Sequence, residues 1–354
     1  MNRSTKVNGV IIAVQLDRDG EAIVETFRAA LEEANSGSSP GYGEDKLTAA
    51  AERAVSAVFE TDCDVFFVTT GTAANALAMS ALCPPWGAIY CHEGAHIQND
   101  ENTAVELLTG GARMVPIAGE GGKPDPQLMR AHMTTATIHG VHNARPGAIS
   151  LSNVSESGTV FSPEDIAAYR ALADEFRLTL HMDGARFANA VVASGASPAD
   201  LTWRSGVECL SFGLTKNGGI AAEAVVMFDQ AMAEQFAFRR KRAGHLWSKQ
   251  RFLAAQWLAL LKDDLWLSNA RHANAMAQRL ATGFTTHPGI ELPWPVDANE
   301  LFPVIPDHIR VRFREAGLEF YDWPAQSDMT RFVTHFATDP EDIKRALEII
   351  ASTT

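Results

Sequence analysis

The side chains best placed to do chemistry in this chain are an aspartate and a lysine, each closing an apolar run of strand length. Leu178-Thr-Leu-His-Met-Asp183-Gly-Ala-Arg186 puts a carboxylate where one buried strand should stop, and Cys209-Leu-Ser-Phe-Gly-Leu-Thr-Lys216-Asn-Gly-Gly219 puts an amine where the next should stop. The carboxyl ends of the strands in an open parallel sheet form its ligand crevice, so an acid and an amine arriving there on successive strands are candidate partners for one cofactor. The chemistry that wants this pair is pyridoxal phosphate (PLP). A lysine amine forms a Schiff base with its aldehyde, and a carboxylate keeps its pyridine nitrogen protonated so that the ring accepts electrons. Arg186, one helical turn beyond Asp183, offers a planar fork to a carboxylate or to the cofactor's phenolic oxygen.

The elements that must position this pair surround it in order. Asp64-Val-Phe-Phe-Val-Thr-Thr70 reads as a buried strand, and Gly71-Thr72-Ala73 opens a helix continuing to Met79. N–H groups at a helix start lack intrahelical partners and carry the positive dipole end, so this segment is a phosphate cradle, with Gly71 allowing close approach and Thr72 adding a hydroxyl. A plain strand–turn–helix has the same pattern, and the stretch is too short for a dinucleotide fingerprint. Residues 88–91 form a short strand followed by His92 and His96; a histidine just past a strand end can lie on a pyridine ring and exchange protons near neutral pH. Further strands are expected at 113–117 and 147–153, with Glu156 beyond the second, and a helix at 125–133. Ser162-Pro-Glu-Asp165 is a helix start, with serine at the cap, proline at the first position and acids at the positive end; the helix should run to Phe176. Residues 221–228 read as an antiparallel strand returning from the lysine loop. The alternation is that of an α/β sheet.

At the margins, 10–14 reads as a strand and 21–34 as a helix. The Gly/Ser/Pro cluster 36–41 ends at Tyr42, as either an active-site edge or an ordinary surface turn, ahead of a helix at 47–59. Helices at 252–262 and 265–280 lead to a C-terminal region with loops at Trp294-Pro295 and Trp323-Pro324 and a short strand at 331–335.

The chain has 354 residues, 46% of them hydrophobic and 21% charged, an ordinary folded composition with room for a large lobe and a smaller one. A formal net charge of -13 argues against nucleic acid or an anionic membrane surface as partner, since both reward Lys/Arg patches. Cys63, Cys83, Cys91 and Cys209 show no paired metal spacing and mostly sit in apolar runs, so reduced core cysteines are expected, with no metal site and no disulfide framework. With no apolar leader and no run of apolar residues long enough to span a bilayer, the expectation is a cytoplasmic protein.

Three segments carry a family resemblance: Thr70-Gly-Thr-Ala-Ala-Asn75, His181-Met-Asp-Gly-Ala-Arg-Phe-Ala-Asn-Ala190 and Ser211-Phe-Gly-Leu-Thr-Lys-Asn-Gly218. In this order and context the chain resembles the low-specificity L-threonine aldolase family of fold-type I PLP enzymes, from about Tyr42 to Leu280 and again at Arg331, nearest the branch that includes phenylserine aldolases. The resemblance implies an α/β fold of the aspartate aminotransferase type. A large domain with a mostly parallel seven-stranded sheet would span 36–255 and a small α+β domain 256–354, with the N-terminal segment 1–35 belonging to the small domain. It implies cleavage of a β-hydroxy-α-amino acid of the threonine, allo-threonine or phenylserine type to glycine and an aldehyde. Lys216 would carry PLP, Asp183 would pair with the ring nitrogen, His96 would stack on the ring while His92, unmatched, would be a surface residue, and Gly71, Thr72, Ala73, Arg186 and Thr215 would complete the cofactor's surroundings. Tyr42 would line the site, and Arg331, with Arg186, would take the substrate's α-carboxylate. Arg240 or Arg242, in the basic run Phe238–His245, would reach the phosphate of a neighbouring subunit in a homodimer or homotetramer; a solvated charged face is the alternative.

Two departures stand out. Glu156 falls where the commoner threonine aldolases place a histidine touching the substrate hydroxyl, as relatives on the phenylserine side also tend to have an acid. Leu16-Asp-Arg-Asp-Gly20 replaces a Ser-Asp-Asn or Ser-Asp-Thr segment, which leaves carboxylate binding to Arg331 and Arg186. A β-eliminating lyase or an aminotransferase shares the same electron sink, and a catalytically silent protein shares the same fold, so these are the alternatives. Of the two candidates for the proton on the substrate hydroxyl, His96 has the better ordinary pKa and Glu156 needs burial to raise it.

Overall fold

In the computed structural model, which describes residues 18–318, 320–323 and 328–352, the apolar runs assemble into one seven-stranded sheet. Its strands are β1 (Asp64–Val68), β2 (Gly87–His92), β3 (Arg113–Ile117), β4 (Arg145–Ser152), β5 (Thr179–Gly184), β6 (Cys209–Gly213) and β7 (Glu223–Met227). The order is β1-β7-β6-β5-β4-β2-β3, and only β7 runs against the rest. The strand expected at 10–14, the residues Leu16 and Asp17, and Pro324 lie outside the described residues.

Every residue of β6 and β7 is buried, as is all of β5 but its first. A strand covered on both faces has no solvent side, so its sequence reads as an unbroken apolar run, and this is why the two reactive segments were legible. The period of two still sorts the faces. Leu180 and Met182 of β5 enter the apolar cluster that holds Phe59, Phe212 and Trp257. His181 and Asp183 point the other way, toward the helix Gly71–Leu82, whose Leu77 and Met79 belong to a second cluster with Ile89 and Val225. Both faces are therefore covered, and the site lies on the Gly71–Leu82 side.

Helix starts follow their local chemistry. Ser162 and Asp165 close a capping box at the head of Pro163–Phe176, as the sequence predicts. The first strand stops at Val68, short of its expected end, because Thr70 caps the next helix instead. The helix expected at 125–133 extends as Pro126–Ile138, its added turns polar, with the Thr134 and Thr135 hydroxyls returned to the carbonyls of Arg130 and Ala131. The helix of the N-terminal segment, Arg18–Ala34, lies along Arg251–Leu261; Phe27 joins the cluster of Phe59 and Trp257, and Arg251 Nε donates to the Ala34 carbonyl at 2.6 Å.

A second, antiparallel sheet of order β8-β10-β9 is built from β8 (Glu300–Leu301), β9 (Tyr321–Asp322) and β10 (Thr330–Val333). The long helix Leu265–Phe284 crosses from one core to the other. Trp266 packs with Phe212 of the large sheet, whereas Leu280 and Phe284 pack with Leu301, Phe313 and Phe332.

Across the large sheet, His181 ties three strands together: its ring nitrogens lie 2.9 Å from Ser150 Oγ on β4 and 3.0 Å from Ser211 Oγ on β6. Burial pushes the imidazole down to about 4 from its ordinary 6.5. The unfolded chain takes up a proton at His181 below pH 6.5 while the folded chain resists until about pH 4, so this group's stability is complete above 6.5 and is lost as pH falls through that window. The contribution should amount to roughly 2 kcal/mol lost by about pH 5. Denaturant unfolding of wild type and His181→Gln at about pH 7.5 and pH 5 should show the variant's stability falling less on acidification; equal falls would mean that His181 does not resist protonation.

Candidate active site

The crevice is assembled at the carboxyl ends of β4, β5 and β6. At the end of β5, Asp183 accepts a hydrogen bond from the Ala185 N–H at 2.9 Å through Oδ1 and one from Asn75 Nδ2 at 2.8 Å through Oδ2. Asn75 Nδ2 also donates to Glu101 Oε1 at 2.8 Å. Two carboxylates on one amide group fix its orientation, since a flipped amide would turn its carbonyl oxygen toward both. The same Glu101 oxygen lies 2.9 Å from His96 Nδ1. Asp183, Asn75, Glu101 and His96 thus form one continuous chain. With Glu101 ionised, His96 Nδ1 must carry the proton, leaving Nε2 as the acceptor. The Glu101 hydrogen bond holds the His96 imidazole above its ordinary pKa, while burial raises the carboxyl of Glu101 itself.

Glu156 lies beyond β4. Its Oε1 accepts from the His96 backbone N–H at 2.8 Å and from Ser152 Oγ at 2.7 Å, Oε2 has no partner, and burial pushes the carboxyl up to about 7. The Glu156 loop presses on the small sheet at Gly158, where φ is +80° and an added Cβ would stand 2.7 Å from the Glu300 carbonyl oxygen. Only glycine fits there.

Lys216 sits in the short turn Thr215–Asn217 after β6. The turn is braced from three sides: Thr215 Oγ1 accepts the Ala222 N–H at 3.0 Å, Asn217 Nδ2 donates to the Trp266 carbonyl at 2.7 Å, and Asn269 Nδ2 donates to the Asn217 carbonyl at 2.8 Å. The lysine side chain itself remains open to solvent. The nearby Arg186 guanidinium, and after it desolvation, lowers the amine's pKa, which favours the neutral nucleophile. Glu223 on β7 lies beneath this turn, its carboxyl pushed up by burial to about 7.

At the head of Gly71–Leu82, Thr70 Oγ1 takes the Ala73 N–H at 3.1 Å, so the amides at Gly71 and Thr72 are those left for an anion. A Cβ added to Gly71 would meet nothing within 4 Å, so the missing side chain leaves open space and relieves no clash. An amine of lowered pKa, a carboxylate held by an amide and a helix start with unused N–H groups fit PLP.

Arg186 and Arg331 converge on one carboxylate, Glu300 of β8. Arg186 Nη2 lies 3.1 Å from its Oε1, and Arg331 donates to the same oxygen through Nε at 3.1 Å and through Nη2. Tyr42, Arg240 and Arg242 lie elsewhere. Tyr42, at φ +58°, is half-exposed beneath Lys241 Nζ, which stands 4.5 Å from its ring centre, and its N–H meets the Ser248 carbonyl at 2.9 Å. Arg240 covers the Phe66 ring at 5.1 Å, and Arg242 is exposed. His92 is a structural residue, its ring bonded to the Gly94 N–H and the Gly119 carbonyl.

The sequence profile of the Beta-eliminating lyase family matches residues 21–307. The chain is 40% identical to a low specificity L-threonine aldolase of a Pseudomonas species, over 89% of this chain and 90% of the relative. It is 41% identical to the enzyme of the same name in Pseudomonas aeruginosa, with the same coverage. The chain belongs to the threonine aldolase family of beta-eliminating lyases. The fold agrees: a threonine aldolase of Leishmania major superposes with a TM-score of 0.86 at 27% identity, covering 93% of this chain and 96% of that one. An aspartate aminotransferase of Rhodobacter sphaeroides shares the fold alone, with a TM-score of 0.68 at 16% identity over 94% of this chain and 88% of that one.

In this family member, sequence reasoning missed the partners more than the actors. Glu101 stands in the polar run Asn99-Asp-Glu-Asn102, where no spacing separates it from a solvated acid. Glu300 had a faint signal, being a lone acid in Ala298-Asn-Glu-Leu-Phe302, among residues that read as a buried strand. Glu101→Gln removes the anion that raises His96. A histidine-labelled NMR titration, with the His96 resonance assigned through His96→Asn, should show the His96 pKa fall in Glu101→Gln. An unchanged value would rule out Glu101 as the cause.

Proposed function

We propose that this protein cleaves a β-hydroxy-α-amino acid of the threonine, allo-threonine or phenylserine type into glycine and an aldehyde, using PLP held on Lys216. The observation that carries the reading is the convergence of Lys216, Asp183 and His96, with their bracing partners, in a chain about two-fifths identical to threonine aldolases. Lys216 would hold the cofactor's aldehyde, Asp183 its ring nitrogen, and the N–H groups of Gly71 and Thr72 its phosphate. PLP, when bound, supplies a sink for the electron pair left when Cα–Cβ breaks.

The remaining roles belong to side chains. Arg331 and Arg186 take the α-carboxylate and so fix the orientation of the amino acid before any bond breaks. His96 Nε2 accepts the β-hydroxyl proton, and Glu101 makes it a stronger base than an ordinary imidazole. Glu156 orients the hydroxyl; a carboxyl at about 7 can both donate and accept near neutrality. The exposed Arg242 ends the basic helix Ala233–Arg242, whose Lys241 covers the Tyr42 ring, and is suited to reach a neighbouring subunit's phosphate, which supports a homodimer or homotetramer with shared sites. The acidic charge and four free cysteines support a cytoplasmic setting, and no helix among the described residues is long and apolar enough to cross a membrane.

Purified protein should be yellow, and borohydride followed by peptide mapping should label Lys216; a label on another lysine, or none, would sink the assignment. With threonine, allo-threonine or phenylserine the products should be glycine and the matching aldehyde, and a 2-oxo acid would point instead to elimination or amino transfer. His96→Asn should cut kcat by about 10²- to 10⁴-fold on every substrate while PLP stays bound. Glu156→Gln should alter the ratio of threonine to phenylserine turnover more than the maximal rate. The reverse pattern would exchange the two roles.

A further inference from the structure

The two arginines that should take the substrate's carboxylate already share one from the chain itself. The Glu300 side chain is 1% exposed, and its Oε1 receives Arg331 through Nε and Nη2 and Arg186 through Nη2, while Oε2 has no partner. Arg186 and Arg331 are 14% and 26% exposed, so without this anion two cations would stand largely out of water, where an unpaired charge is poorly compensated. The backbone gives Glu300 little room to withdraw. Its residue pairs with Val333 on β10, and its carbonyl is pressed against Gly158. Each guanidinium keeps unused N–H groups, since Arg186 engages the carboxylate through Nη2 alone and Arg331 leaves Nη1.

We propose that Glu300 is an internal counterpart of the substrate's α-carboxylate and a specificity-determining residue: it neutralises the arginine pair in the empty site and then competes with the incoming carboxylate for it. This rests on the reading that Arg331 and Arg186 bind that group. The arriving carboxylate must settle on the unused guanidinium edges beside a fixed like charge. Substrate affinity is therefore set lower than a bare arginine pair would give, and a ligand bringing a second negative charge into this corner is disfavoured. The role is one of positioning and charge, with no proton transfer.

Glu300→Gln keeps the shape and removes the charge. Two unit charges about 6 Å apart at an effective dielectric of about 20 repel strongly enough that KM for threonine or phenylserine should fall by about 10-fold or more, with kcat little changed. The methyl esters of the same amino acids carry no carboxylate charge, and their KM should not move. Calorimetric titration with glycine should show the same tightening independently of turnover. Glu300→Asp, which keeps the charge and is the variant surer to fold, should retain a KM within a few-fold of wild type. Equal shifts for acid and ester, no shift for the acid, or a fall in Glu300→Asp as large as that in Glu300→Gln would each overturn the proposal. Arg331→Gln tests the underlying reading separately: it should raise KM for the acid and not for the ester, and an unchanged KM would remove that reading whatever Glu300 does.

Discussion

The ion pair between Arg186 and Glu300 joins the parts of this protein that must act together. Arg186 follows β5, the strand that carries Asp183, and Glu300 lies on the small sheet, so the contact spans the two sheets at the crevice. It does more than hold them. Arg186 is the main reason the Lys216 amine is held below its ordinary pKa, and it shares with Arg331 the only anion either touches through an ion pair among the described residues. The contact between the two sheets and the lowered pKa of the Lys216 amine thus depend on one guanidinium.

Charge balance in a poorly solvated space explains the rest of the site. Burial works to raise Glu300, but two arginines outweigh it and keep the carboxyl below its ordinary value. Glu156 and Glu223 have no such cation close enough to offset burial, and both are pushed up to about 7. The difference between an acid that stays charged and one that holds its proton is set by neighbours and not by residue type. That division leaves one carboxylate charged beside its arginines and two acids able to hold a proton near neutrality.

The chain from Asp183 through Asn75 and Glu101 to His96 obeys a related constraint. A buried polar group without a partner is costly, so each member fixes the next: the helix Gly71–Leu82 delivers Asn75 to β5, Asn75 orients Glu101, and Glu101 sets the tautomer of His96. Two groups that would act on different parts of a substrate complex are coupled through a single amide.

Much of this was legible from residue order alone. Strands buried on both faces announce themselves as continuous apolar runs, caps such as Ser162 with Asp165 are local, and an acid or an amine at the end of such a run has few structural reasons to be there; Asp183 and Lys216 came from these signals, whereas His96 and Arg186 leaned on the family resemblance. The sequence by itself therefore determined the alternation of elements and the sheet class, because each depends on contacts within a turn or a strand. Only the tertiary structure decided that Asn75 meets Asp183, that Glu101 rather than Asp100 holds His96, and that Arg186 and Arg331 meet over Glu300. Those pairs are brought together by strand order and lobe packing across long stretches of chain, and a carboxylate that will be buried beside an arginine carries, in sequence, no mark that separates it from one left in water.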